Sequence, residues 1–235
     1  MASSIPFRPD APMMPPSGRD PADGHPPCPL CASAAVTPFA ELRRGCALEC
    51  AVCRIVFMHP AGHPSAEEQR DHYGTHENDP GDARYRSFLA RLVDPLAARL
   101  SPGAEGLDYG AGPGPALPRM MEERGFTVRI FDPFFAPDQQ ALRRTYDFIA
   151  CSETAEHFHR PGAEFARLNG LLRPGGWLGV MTQLLEDGRD LPAWRYARDP
   201  THVCFYRAET MRWLADAHGW RLESPARNVV LFRKA

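Results

Sequence analysis

The stretch GLDYGAGPGP, residues 106–115, constrains the fold more than any other part of the chain. A short apolar run ends at a loop with glycines at 110, 112 and 114, and a helix-compatible segment follows. After Pro102 this pattern repeats. Strands are predicted at LDYG, VRIFD, YDFIAC and Gly176 to Thr182, with helices at Pro115 to Arg124, Pro161 to Leu172 and Arg207 to His218. Such alternation demands parallel strands joined by helical crossovers, an α/β doubly wound Rossmann-like sheet that binds ligands beyond the carboxyl ends of its strands. Two closing runs, Trp220 to Leu222 and Val229 to Phe232, are too close for a crossover and imply a C-terminal antiparallel hairpin.

The loop is not built for a dinucleotide. A G-x-G-x-x-G fingerprint starting at Gly110 would put its last glycine at 115, where the chain has Pro115. Asp108, two residues ahead of the first glycine, would repel a pyrophosphate at a site meant to attract anions. It suits a cation. S-adenosylmethionine carries an ammonium and a sulfonium and no phosphate. Glycines at 110 and 112 would let the backbone approach such a ligand, and Pro115 suits the first position of a helix, where no N–H is needed.

On these residues the chain resembles the class I S-adenosylmethionine-dependent methyltransferases over roughly residues 103–235. DYGAGPG is similar to their first motif, YDFIACSETAEHF to the fourth-strand motif, and LLRPGGWLGVMT to the segment leading into the fifth strand. The resemblance implies S-adenosylmethionine bound by Asp108, Gly110, Ala111, Gly112, Gly114, Asp132, Pro133, Ser152 and Glu153, with Asp132 on the ribose hydroxyls. One departure stands out: only thirteen residues separate Asp132 from Tyr146, so the helix and strand expected there are shortened or missing. That leaves the adenine pocket undefined.

SETAEH places Glu153, Glu156 and His157 at i, i+3 and i+4, on one face if a helical turn follows the strand. His202 comes later, in DPTHVCFY. The pattern resembles that of ubiquinone-biosynthesis O-methyltransferases and small-RNA 2′-O-methyltransferases. By that resemblance Glu153, Glu156, His157 and His202 would bind a divalent ion, Mg2+, Mn2+ or another, beside the acceptor hydroxyl. Two other readings stay open: a metal-free general base at His157 or His202 assisted by Glu156, and a purely structural role.

Cys28-x-x-Cys31 and Cys50-x-x-Cys53, eighteen residues apart, have the spacing of a two-knuckle structural zinc site. Cys46 breaks that spacing, and Cys151 and Cys204 read as buried small residues. The expected organisation is a proline-rich disordered tail at 1–27, a zinc ribbon at 28–62, a helical connector or lid at 63–101 and the cofactor-binding domain at 102–235. In the connector, Phe88, Leu89, Leu92, Val93, Leu96 and Leu100 recur at helical intervals, behind a polar segment that includes His72, Tyr73, His76 and Tyr85. Tyr73 and Tyr85 are candidate substrate or cofactor contacts, and Trp194 and Tyr196 candidate walls of the acceptor pocket.

The formal charge of −2 argues against a nucleic-acid or anionic-membrane partner held by bulk electrostatics. No apolar run reaches 18 residues and no basic-then-apolar leader is present, so a cytoplasmic location is expected. The leading expectation is a methyltransferase acting on a hydroxyl of a small molecule. Alternatives are a sugar C-methyltransferase, which the zinc knuckle ahead of this domain also resembles, an RNA 2′-O-methyltransferase, and a non-catalytic S-adenosylmethionine-binding module. Oligomeric state is not encoded in any feature of the sequence.

Overall fold

A computed structural model describes residues 24–75 and 79–235. Most of the tail expected at 1–27, and His76 of the connector, lie outside the described residues. The chain begins with β1 (Val36–Leu42), β2 (Gly45–Cys50) and β3 (Val56–Met58), an antiparallel meander. Two helices follow, α1 (Ala66–Gly74) and α2 (Ala83–Ala97). The single amphipathic helix expected here is therefore divided. Ser65 and Glu68 form a capping box that starts α1, and the Pro80-Gly81 turn precedes Asp82, whose carboxylate caps α2 by accepting from Arg84 N–H.

The remainder alternates: β4 (Glu105–Tyr109), α3 (Ala116–Glu122), β5 (Thr127–Phe131), β6 (Tyr146–Ser152), α4 (Pro161–Leu171), β7 (Leu172–Met181), β8 (Cys204–Phe205), α5 (Ala208–His218), β9 (Trp220–Ala226) and β10 (Val229–Lys234). The main sheet runs β5-β4-β6-β7-β10-β9. Strands β5, β4, β6 and β7 are parallel, while β10 pairs antiparallel with both β7 and β9. This is the doubly wound sheet with the terminal hairpin that the pattern implied. Pro115 sits one residue earlier than expected, capping α3 instead of opening it.

The short 133–145 segment behaves as its length requires. Thirteen residues cannot hold a helix and a parallel strand, and β5 is the edge of the sheet. An isolated bridge between Asp132 and Ala136 and one 3-10 turn at Ala141–Arg143 fill the space.

Each face of the sheet has its own core. On one, Leu89, Leu92, Val93 and Leu96 of α2 and Leu117, Met120 and Met121 of α3 cover Phe148, Ala150 and Leu231. Gly179 permits this contact, because a Cβ there would stand 2.8 Å from a methyl of Leu92. On the other face Phe165 and Leu168 of α4 and Met211 and Leu214 of α5 pack over Ile149, Leu178, Val180 and Phe232. Fully burying each of these side chains contributes about 1.5–3 kcal/mol. The second core continues without a break into Leu48, Val56, Phe57, Phe205 and Tyr206 of the smaller sheet. That sheet runs β1-β2-β3-β8.

Among the described residues no helix is long and apolar enough to cross a membrane.

Candidate active site

Strands β4 and β6 leave the point where the winding reverses, so a crevice opens at their carboxyl ends. It is a cleft of about 700 Å³. The glycine loop forms its floor. Gly110 has φ +83° and Gly112 φ +66°, a region that side chains enter only at a cost. A Cβ at 110 would also come within 2.2 Å of Thr154. The Thr154 hydroxyl donates to the Gly110 carbonyl at 3.2 Å and to that of Ser152 at 2.9 Å, tying the loop to the end of β6.

Asp108 and Asp132 both line the cleft and are both buried, but they differ in hydrogen bonding. Asp132 is held by the main chain: Oδ2 accepts from Gly112 N–H at 2.9 Å, and Oδ1 from the N–H groups of Phe134 and Phe135 at 2.8 and 3.0 Å. Asp108 is 3% exposed, and burial, reinforced by the negative charge of Asp132, pushes its carboxyl up to about 7. A cation entering the cleft would reverse that shift.

At the far end a polar cluster forms. Glu156 has no exposed surface, and one ligand atom each from Glu156, His157 and His202 lie within 4.8 Å of one another. Nδ1 of His157 meets the carbonyl of Thr201 at 3.0 Å, and Nδ1 of His202 meets that of Tyr196 at 2.7 Å. A carbonyl only accepts, so each ring carries a proton on Nδ1. Burial lowers the His202 imidazole below its usual range, keeping it neutral. The Thr182 hydroxyl donates to Glu156 Oε2 at 2.9 Å, and the Tyr196 hydroxyl donates to Thr182 at 2.9 Å. Glu156 Oε1 is buried with no hydrogen-bond partner. Asp199 backs the cluster. Burial would raise its carboxyl, but the hydroxyl and N–H of Thr201 and the ring of His72 hydrogen-bond to it and hold it below the usual carboxylate range.

Other expected residues fall in different places. Ala111, Pro133, Ser152, Tyr73, Tyr85 and Tyr196 line the cleft. Tyr73, on α1, stands edge-on to His157 at 5.1 Å and beside Phe134 at 5.7 Å. Gly114 is not part of the lining, and neither is Trp194, which packs behind Tyr196 at 5.0 Å and near Phe205 at 6.1 Å. Glu153 lines the cleft but is not in the three-residue cluster. The chain turns at Glu153 through φ +48°, and the helical face expected for SETAEH is only a 3-10 turn over Ala155–His157. Burial and the neighbouring Glu156 push the Glu153 carboxyl up to about 9. Thr182 and Asp199 were not evident in the sequence. The position of Thr182, directly after β7 at the carboxyl edge of the sheet, was the available signal.

The four cysteines converge. Cys28 and Cys53 sulfurs are 3.5 Å apart, as are those of Cys31 and Cys50, and all four lie within 4.8 Å. These gaps are too long for disulfides of about 2.05 Å and near the ~3.8 Å edge of a tetrahedron with ~2.3 Å metal–sulfur bonds. Both knuckles turn alike: Ala32 N–H donates to Cys28 O and Arg54 N–H to Cys50 O, and Ala32 and Arg54 have φ +59° and +61°.

A methyltransferase-domain family model matches residues 82–224, more than half of the chain. The chain belongs to this methyltransferase family. No curated protein matches it. Among solved structures, 1,6-didemethyltoxoflavin-N1-methyltransferase from Burkholderia thailandensis, with 1,6-didemethyltoxoflavin and S-adenosylhomocysteine bound, is 18% identical with a TM-score of 0.51, covering 84% of this chain and 99% of that one. An O-methyltransferase family protein from the same organism is 15% identical with a TM-score of 0.51, covering 72% of this chain and 62% of that one. A methyltransferase of calicheamicin biosynthesis, bound to S-adenosylhomocysteine, is 16% identical with a TM-score of 0.45, covering 65% of this chain and 55% of that one. The present chain thus spans less than two thirds of the length of the last two. At these identities the likeness is one of fold.

Proposed function

We propose that the cleft binds S-adenosylmethionine with its ammonium toward Asp108 and its ribose toward Asp132, and that the methyl group passes to a hydroxyl of a small molecule held beside Glu156, His157 and His202. The observation that carries this reading is the orphaned Glu156 Oε1 beside two imidazoles whose Nδ1 protons are held by main-chain carbonyls. A buried carboxylate oxygen without a partner is costly and calls for a cation or a proton donor.

Methyl transfer is an in-line displacement that needs an electron-rich oxygen held close to the sulfonium carbon. Nε2 of His157 or His202 accepts the hydroxyl proton, and Glu156 stabilises the imidazolium that results. Tyr73 and Phe134 offer aromatic surface for the rest of the acceptor. A divalent ion such as Mg2+ or Mn2+ fits the same residues, since one carboxylate oxygen and two neutral imidazole nitrogens are suitable ligands. When bound, such an ion lowers the pKa of a coordinated hydroxyl and fixes its direction. The subtype this favours is the ubiquinone-biosynthesis O-methyltransferase type. Glu153, outside the cluster, lies on the cofactor side of the cleft in this reading. Zn2+ is the ion proposed for the four thiols, where a closed shell leaves no position for chemistry.

The test is a cofactor-consumption screen of the purified protein over catechols, quinols and nucleotide sugars, with metal analysis of the same sample. O-methylated phenolic products are expected. Methylation at a sugar carbon alone would overturn the acceptor assignment.

A further inference from the structure

Strand β3 of the four-thiol module pairs antiparallel with β8, Val56 opposite Phe205 and Phe57 opposite Cys204. The pairing continues one step further, where Met58 N–H donates to the carbonyl of Val203 at 2.8 Å. Val203 in turn donates its N–H to the main-chain carbonyl of Glu156 at 2.9 Å. A two-residue strand therefore lies between the module and the turn that carries Glu156 and His157. His202 is two residues before that strand. Val203, Cys204 and Phe205 are each at most 1% exposed, so water cannot replace the partners that β3 supplies.

Two further ties run the same way. Glu49, directly before Cys50, lies 3.3 Å from Nε of the buried Arg207 and 3.1 Å from Arg54. Arg207 follows β8 and begins α5. Gly162, at the start of α4, donates its N–H to Pro29 O at 3.1 Å, and a Cβ there would stand 2.5 Å from Leu30 O, so the first knuckle seats on α4 with no room to spare. The module itself is only three short strands. A unit of that size would draw its order from an ion bound by its thiols.

We infer that the four-thiol module is a positioning element of the acceptor site: Cys28, Cys31, Cys50 and Cys53 hold β3, β3 holds β8, and β8 keeps His202 beside Glu156 and His157. The linkage itself rests on main-chain contacts; only the task of His202 rests on the function proposed above.

The full-length protein is compared before and after the thiol-bound metal is stripped with a mercurial reagent and chelator, and as the Cys31→Ser/Cys53→Ser variant. Hydrogen exchange reads protection, nitrogen NMR of the histidines reads the His202 tautomer, and calorimetry reads S-adenosylhomocysteine binding. Expected are a loss of about tenfold or more in protection over residues 199–206, retained protection in β4 and β6, and loss of the Nδ1-protonated signature of His202. Affinity for S-adenosylhomocysteine should change by less than about threefold, a factor worth under about 0.7 kcal/mol.

Unchanged protection at 199–206, or an unchanged His202 signal, while residues 28–58 exchange freely would overturn the inference. So would simultaneous loss across the main sheet, and so would full protection of 199–206 in purified protein that carries no metal on these thiols. If the untreated protein fails to bind S-adenosylhomocysteine, the proposed function fails, and the exchange data still decide the linkage.

Discussion

Tyr196 holds both arms of the polar cluster: its carbonyl accepts from Nδ1 of His202 at 2.7 Å, and its hydroxyl donates to Thr182, which donates to Glu156. Thr182 is 1% exposed, so this chain of hydrogen bonds works away from water. Thr182→Val keeps the shape and removes the hydroxyl, leaving Glu156 Oε2 without its donor and the Tyr196 hydroxyl without an acceptor, though still bonded by Gln183 N–H. The expected cost is about 1–3 kcal/mol of stability with a fall in kcat, while Thr182→Ser stays near wild type. Denaturant unfolding and turnover of the two variants check this.

Gly110→Ala places a methyl group 2.2 Å from Thr154 on a backbone at φ +83°. The left-handed conformation alone costs an alanine about 1–2 kcal/mol, and relieving the contact must move either the glycine loop or the end of β6. Cofactor affinity should fall at least tenfold. Pairing Gly110→Ala with Thr154→Ala should restore part of it, as calorimetry of the single and double variants would reveal.

Asp108 gives the fold a pH dependence of known sign. Its carboxyl is pushed up to about 7 by burial and by Asp132, against about 3.9 in an unfolded chain. The folded state thus binds the proton more tightly. Stability from this group is complete below about pH 4 and is lost as pH rises through about 7. Asp108→Asn should therefore stabilise the ligand-free protein at pH 8, by up to about 4 kcal/mol, and do little at pH 4. Thermal unfolding at the two pH values measures the difference.

Glu156 and Glu153 should separate under mutation. Glu156 belongs to the three-ligand cluster and Glu153 does not. Glu156→Gln is expected to abolish turnover and any Mn2+ binding at the cluster. Glu153→Gln should leave Mn2+ binding within about threefold of wild type, since no ligand is lost. Titration with Mn2+ followed by electron paramagnetic resonance distinguishes the two.

Much of this arrangement was legible in the residues. Alternation after Pro102 gave the parallel sheet because each strand run is short, apolar and followed by a helical period. The thirteen residues between Asp132 and Tyr146 pointed to a helix and strand shortened or missing relative to the family pattern. The SETAEH spacing put Glu153, Glu156 and His157 on one face by assuming a helical turn, and of these only Glu156 and His157 join His202 in the cluster. The positive φ at Glu153 breaks that face, and no local propensity of glutamate announces it. Trp194 looked like a pocket wall because it is an aromatic residue in the loop region between the fifth strand and the next helix; its packing behind Tyr196 depends on tertiary contacts. The join between β3 and β8 links residues nearly 150 positions apart. A two-residue strand has no periodicity to read.

The central claim, a carboxylate at 108 that meets the cationic end of S-adenosylmethionine, is tested most directly by calorimetric titration of that cofactor into wild type and Asp108→Asn at pH 6 and pH 8. Wild type should bind more tightly at pH 8, with proton release at pH 6, and the variant should bind at least about tenfold more weakly at pH 8, a loss of about 1.4 kcal/mol or more. Equal affinity of the two proteins at pH 8, or no binding by folded wild type, would contradict it.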